Sequence, residues 1–314
     1  MNKPNLFIVG QPKSGTTALH QFLGQHPEIY MAKIKAPHYF CHDFHEESDR
    51  FHGMKLYFDY RELDAYLKLF TRAGTAKIIG ESSDHYLYST VAAREIFQFH
   101  PQAKIIIFLR EPASFLGSLH NHFVKVTNEE EEDFVRALAL EFDRVKGKNI
   151  STRIMCPSWA HYSQRITYYA QVKRYYDVFA PQQIKVVIYE SFREDNPKVY
   201  REILEFLEVD PNFTPDFQMM NQSKEVRFKQ LNYLLNNQII KNFTKNMLSQ
   251  EFNEFVRDKI VEKYLWREAP KSAMSEDIKA QLKERYYSEV EQISELTGVD
   301  LIAKWNYQTN LARK

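Results

Sequence analysis

Residues 6–27, LFIVG-QPKSGTT-ALHQFLGQHP, constrain the fold more than any other part of the chain. The segment opens with a short apolar run without polar alternation and breaks at a loop bounded by Gly10 and Gly15. It then carries apolar residues at helical spacing as far as His26-Pro27. Strand, tight loop and helix in that order form the unit from which parallel α/β sheets are built. Glycine at both loop positions lets the backbone turn sharply and approach a ligand, and a helix opening near Thr16 offers unpaired N–H groups and the positive end of its dipole. The loop therefore reads as an anion cradle. Lys13 adds a mobile positive charge, and Ser14, Thr16 and Thr17 add hydroxyl donors, a set suited to a terminal phosphate or similar oxyanion.

Three further runs, 77–80, 104–110 and 184–190, share the Ile- and Val-rich character of residues 6–10, as strands buried on both faces of a parallel sheet do. Helical spacing over 15–25, 60–70, 89–99, 112–126 and 159–179 fills the intervals, with prolines at 27, 101 and 181 as stops. The expected fold is α/β, a central parallel sheet with helices on both faces in the three-layer manner of P-loop nucleotide hydrolases. After about residue 195 the pattern is helical only and ends in a long amphipathic stretch, 275–297. No repeat or linker divides the 314 residues, so one domain over 1–314 is expected. The two cysteines have neither disulfide-framework nor metal-ligand spacing, and no signal-like or membrane-spanning run is present, which points to the cytoplasm. With 42 Lys+Arg against 41 Asp+Glu, the balance of +1 offers no general attraction to nucleic acid or membrane. Any bound anion must be gripped locally.

A triphosphate loop of the form G-x-x-x-x-G-K-[ST] needs lysine directly after its second glycine. Here Thr16 holds that place and the lysine lies inside the loop, which argues against a nucleotide kinase. A second anion site is expected where KIIIFLREPASFLGSLHNHF begins. Arg110 ends a strand at the carboxyl edge of the sheet, Pro112 opens a helix, and Ser118 follows two turns on. Such a guanidinium can hold a phosphate bidentately.

PKSGTT and LREPASFLGS together resemble the 5′-phosphosulfate loop and the 3′-phosphate segment of sulfotransferases that use 3′-phosphoadenosine 5′-phosphosulfate. KAPHYF at 35–40, GESS at 80–83, the stretch QQIKVVIYESFREDNPKVYREILEFLEV and the closing LTGVDLIAKW are similar to bacterial and heparan-sulfate-type members. The resemblance implies that Lys13, Ser14, Gly15, Thr16 and Thr17 bind the 5′ end of the donor, and that Arg110 and Ser118 bind its 3′-phosphate. It also implies metal-free sulfuryl transfer by in-line displacement to a hydroxyl or amine of a small metabolite or carbohydrate, with Lys13 stabilising the leaving group. Nucleic-acid and membrane partners are not expected.

The resemblance implies that the catalytic glutamate commonly carried by heparan-sulfate-type members is Ala36 here, so either the base lies elsewhere or the acceptor, such as an amine or amide-like nitrogen, needs less activation. His38 and Glu81 are the alternative bases, and Lys35 is a further contact for the sulfuryl group. Lys224 and Arg227 fall where the family has a basic loop over the nucleotide, while Tyr162 and Trp159 suit either a pocket wall or the core. The run Glu129–Asp133 reads as a solvated helix start. His42, His45, His85, His120 and His122 read as structural or surface residues, with no zinc pattern. A kinase, and a catalytically silent binding protein of the same fold, are the competing functions.

Overall fold

The computed structural model describes residues 2–218 and 274–307, with the backbone of 224–226 and 266–268. Strands β1 (Leu6–Ile8), β2 (Ile29–Met31), β3 (Ile78–Ser82), β4 (Lys104–Leu109) and β5 (Ile184–Ile188) form one sheet of order β2-β3-β1-β4-β5. Every pairing in it is parallel. Four strands lie in the expected apolar runs. The fifth, β2, is an edge strand of three residues, too short to show any periodicity.

Alternation along the central strands divides the core. Leu6, Ile8, Ile106 and Phe108 join helices α1 (Thr16–Leu23) and α10 (Asn196–Leu207) on one face. Phe7, Val9, Ile105, Ile107 and Leu109 face the other way. Between α1 and α10 run α2 (His42–His52), α3 (Leu63–Leu67), α4 (Ala92–Phe99), α5 (Pro112–Lys125), α6 (Phe134–Ala139), α7 (Glu141–Arg144), α8 (Tyr168–Tyr176) and α9 (Tyr189–Glu194). Residues of α4, α5 and α8 complete that second core, together with Leu282, Val290 and Ile293 of α11 (Glu276–Thr297). Ser275 caps the start of α11 and Gly298, at φ 68°, ends it. A short α12 (Leu301–Lys304) follows.

Two expectations about elements need correction. Residues 159–179 are not one helix: 3₁₀ turns at Pro157–Ala160 and Gln164–Ile166 precede α8. Ser163 is drawn to a tertiary partner, its N–H and hydroxyl both bonding the Glu141 carboxylate at 3.0 and 2.6 Å, and such side-chain bonds compete with helix. The region beyond 195 is not helical only, because Lys224–Val226 pairs antiparallel with Trp266–Glu268. Among the described residues no helix is long and apolar enough to cross a membrane.

Candidate active site

Register assembles the site. Ile8 lies opposite Ser82 on one side and Ile106 on the other, so the segments leaving β1, β3 and β4 emerge together at the carboxyl edge. Gly10 runs so close to β4 that a Cβ there would sit 2.3 Å from the Phe108 nitrogen. Gly15, at φ 94°, opens α1 without any side-chain cap, which leaves the first-turn N–H groups for the loop side. Lys13 itself takes the left-handed φ of 62°, a strained conformation of the kind that clusters at ligand sites. Its side chain is exposed, yet the cleft around it is walled by protein. That burial, with Arg110 next in importance and Lys35 adding to it, holds its ammonium below the usual lysine range, and Asp84 opposes the drop.

Arg110 meets this loop directly. Its Nη1 donates to the Lys13 carbonyl at 2.7 Å, its Nε and Nη2 donate to Ser114 Oγ at 3.0 and 2.8 Å, and its plane lies 4.5 Å from the Tyr189 ring centre. A guanidinium has five N–H donors, so two remain for a ligand. Ser118 is one helical turn beyond Ser114 on the same face of α5, half-buried. Ser114 was not singled out by the sequence. Below, Glu111 caps α5, and its carboxylate also accepts from Tyr307, while Glu190 receives the Glu111 N–H and the Trp305 indole N–H.

The expected residues do not all converge. Thr17 is half-buried at the loop, but the Ser14 side chain is fully buried and turned back to the Pro12 carbonyl at 3.4 Å, so its hydroxyl is not the donor expected. Tyr162 belongs to the core rather than a nucleotide pocket. Its hydroxyl donates to Glu129, which forms a buried ion pair with Arg144 at 2.8 Å. That pair also corrects the solvated reading of Glu129. Lys224 has only its backbone described, and Arg227 lies outside the described residues.

Around the missing glutamate, His38 is 7% exposed and its Nε2 has no hydrogen-bond partner. Asp84 Oδ1 lies 3.8 Å from it, a charge contact rather than a hydrogen bond. Asp84 also faces Lys35 Nζ at 3.4 Å and His85 Nδ1 at 3.2 Å. Burial opposes its ionisation, but Lys35 and the two histidines outweigh burial and hold its carboxyl well below the usual range. His85, read from sequence as structural, stacks on Trp159 at 3.6 Å beside this group. The ligand atoms of His38, Asp84 and His85 lie within 4.8 Å of one another, but Lys35 already occupies the carboxylate and Lys13 adds a second cation nearby, a field suited to anions. Glu81 is fully buried, with both oxygens bonded by Ser83, Tyr66 and Tyr86. It has no open path to an acceptor, which corrects its reading as a base.

Four histidines are held neutral mainly by burial, His20, His45 and His122 down to about 4 and His85 to about 3. Each takes its proton in the unfolded chain near 6.5 and in the folded one only lower, so its stabilisation is present above 6.5 and is lost as pH falls. The loss at the acid limit is about 3 kcal/mol for each of His20, His45 and His122 and about 5 kcal/mol for His85. Glu81, raised by burial to about 7, acts oppositely, favouring the fold below its unfolded value and ceasing to as pH rises through about 7. Four groups against one predict that the urea midpoint drops as pH goes from 6.5 to 4.5; a flat midpoint across that window would refute the assignment.

A parallel sheet with an anion loop after its central strand, and an arginine from the next strand bonded to that loop, defines an α/β group-transfer scaffold of the phosphate-loop class. The chain belongs to the sulfotransferase-domain family, whose model matches residues 3–295. It is 28% identical over 217 residues to bifunctional heparan sulfate N-deacetylase/N-sulfotransferase 1 of Mus musculus, covering 66% of this chain and 22% of that protein. It is 30% identical over 169 residues to carbohydrate sulfotransferase 15 of Rattus norvegicus, covering 42% and 29%. The chain thus spans less than a third of the length of these curated relatives. A solved sulfotransferase from Alicyclobacillus acidocaldarius is 28% identical, with a TM-score of 0.71 over 96% of this chain and 99% of that one. Membership in this family sets aside the kinase alternative.

Proposed function

We propose that this domain, residues 1–314, transfers a sulfuryl group from 3′-phosphoadenosine 5′-phosphosulfate to a hydroxyl or amine nitrogen of a small metabolite or carbohydrate. The observation that carries the reading is the bond from Arg110 to the Lys13 carbonyl, 2.7 Å. It sets two cations side by side, one for each phosphorylated end of a single nucleotide. The first-turn N–H groups of α1, with Thr16 and Thr17, would receive the 5′ end, and Arg110 with Ser118 the 3′-phosphate. The donor, when bound, supplies a sulfuryl group on a phosphate leaving group.

Lys13 stabilises the charge that develops on the leaving oxygen. His38 takes the acceptor's proton, and the imidazolium so formed has the Asp84 carboxylate 3.8 Å from its enclosed Nε2. Asp84 thereby supplies near His38 the negative charge that Ala36 cannot. The relatives named for heparan sulfate and carbohydrate sulfation support a sugar as one acceptor class. In calorimetry without magnesium, adenosine 3′,5′-bisphosphate should bind at least about tenfold more tightly than ATP, and Arg110→Ala should weaken the bisphosphate about ten- to a hundredfold. ATP binding as tightly as the bisphosphate would defeat the reading. Acceptors are then found by screening metabolites and oligosaccharides for a sulfuryl mass gain.

A further inference from the structure

We infer that Glu81 is a positioning residue for His38, acting through the hydroxyls of Ser83 and Tyr86. The inference rests on the proposed role of His38 and assigns a task to a buried carboxylate that the chemistry itself does not use.

The loop carrying His38 is held against its own preference. Ala36 and His38 both adopt left-handed backbone conformations, φ 58° and 54°, which non-glycine residues take only when the surroundings impose them. Five bonds do the imposing. The Ala36 N–H donates to the Ser82 carbonyl at 2.8 Å, the His38 N–H to Ser83 Oγ at 3.1 Å, and the Phe40 N–H to the Tyr86 hydroxyl at 3.1 Å. The His38 carbonyl accepts from His45 Nε2 at 2.7 Å and from Cys41 Sγ at 3.0 Å.

Two of these acceptors, Ser83 and Tyr86, are hydroxyls, and a hydroxyl has one proton. Ser83 gives its proton to Glu81 Oε2 at 2.7 Å, and Tyr86 gives its own to Oε1 at 2.9 Å. Their lone pairs are thereby turned toward the loop N–H groups. Above about pH 7, where Glu81 is ionised, its carboxylate only accepts, and it then fixes the polarity of both arms at once. It does so from the middle of the sheet: Glu81 pairs with Phe7 of β1 in the parallel ladder, the most rigid place from which to hold a strained loop. Tyr66 donates to the same Oε1 at 3.1 Å and completes the carboxylate's partners. The contact is with the backbone of His38 rather than its ring, so Glu81 sets where the imidazole stands.

Glutamine at 81 keeps the shape but brings one acceptor and one donor, so one arm must reverse. The test uses histidine ring NMR on the full chain, with the His38 signals assigned through His38→Gln and the donor site checked by calorimetry with adenosine 3′,5′-bisphosphate. In Glu81→Gln and Ser83→Ala the His38 signals should shift and broaden, while those of His20 and His122 stay put and bisphosphate affinity changes less than about threefold. Ser83→Thr, which keeps the hydroxyl, should restore the wild-type His38 signals. Unmoved His38 signals in both Glu81→Gln and Ser83→Ala, with bisphosphate binding intact, overturn the inference alone. Loss of preferential bisphosphate binding in the wild-type protein overturns instead the functional reading beneath it.

Discussion

Lys13→Ala is expected to lose about two to three orders of magnitude in kcat, the size found when one preorganised electrostatic contact to a developing charge is removed. Its binding of adenosine 3′,5′-bisphosphate should weaken by about tenfold or less. The split follows from where the loop gets its support. Arg110 bonds the main-chain carbonyl of residue 13, not its side chain, so the substitution removes the ammonium and leaves the loop's tie to β4 in place. Alanine at φ 62° is no more strained than lysine there, so the backbone has no new reason to move. The bisphosphate product has no sulfuryl group and no charge growing at a bridging oxygen, so it draws little on Lys13; the transition state does. Lys13→Arg should recover only part of the rate, because a planar fork on a different stem does not replace a compact ammonium. Burial and Arg110 hold the Lys13 ammonium below the usual range. The alkaline limb of kcat should therefore begin earlier in the wild type than in Lys13→Arg. Turnover of labelled donor with the acceptor found by the mass screen measures all of this; Lys13→Ala retaining more than about a tenth of wild-type kcat would remove Lys13 from the transition state.

The loop after β1 was legible because its backbone path demands particular residues at particular spacings. Gly10 must let β1 pass Phe108 and Gly15 must reach φ 94°, and few sequences other than an anion loop combine these with an interior lysine after a buried strand. Arg110 was legible for a similar reason, as a charge ending an apolar strand just before a helix-opening proline. What escaped was what the sheet brings together from a distance. Asp84 is an ordinary residue in GESSDHY until the parallel pairing of β3 with β1 delivers it to Lys35 and His38. Glu81 and Asp84 are near neighbours in sequence, yet one is enclosed by three hydroxyls and the other faces the cleft; that difference lies in tertiary packing, which local pattern does not encode. The sequence left Tyr162 open between pocket and core for the same reason, since the partner that claims its hydroxyl, Glu129, stands 33 residues away. The break before α8 and the three-residue β2 are likewise set by tertiary bonds and edge pairing rather than by periodicity.

His38→Gln tests the base itself and is expected to lower kcat by about two to four orders of magnitude with a hydroxyl acceptor. Glutamine keeps much of the volume and a polar end but cannot take up a proton. Asp84→Asn should cost less, about ten- to a hundredfold, because it removes only the charge that steadies the imidazolium at 3.8 Å. If the two act as one unit, the double variant should be little worse than His38→Gln alone. Since Asp84→Asn also strips Lys35 of its partner at 3.4 Å, Lys35→Met serves as the control and should not reproduce the loss of coupling to His38. The acceptor's chemistry then becomes readable from the size of the effect. A neutral amine attacks with its own lone pair and can shed its proton after the bond to sulfur has formed, whereas a hydroxyl needs proton removal during attack. His38→Gln should therefore cost an amine acceptor much less than a hydroxyl acceptor, and Ala36 at the family's glutamate position would be tolerable for the first and compensated by the His38–Asp84 pair for the second. A hydroxyl acceptor sulfated by His38→Gln at more than about a tenth of the wild-type kcat would exclude His38 as the base, and with Glu81 enclosed and Asp84 held by Lys35 the proton would have to leave through the acceptor's own contacts with the cleft.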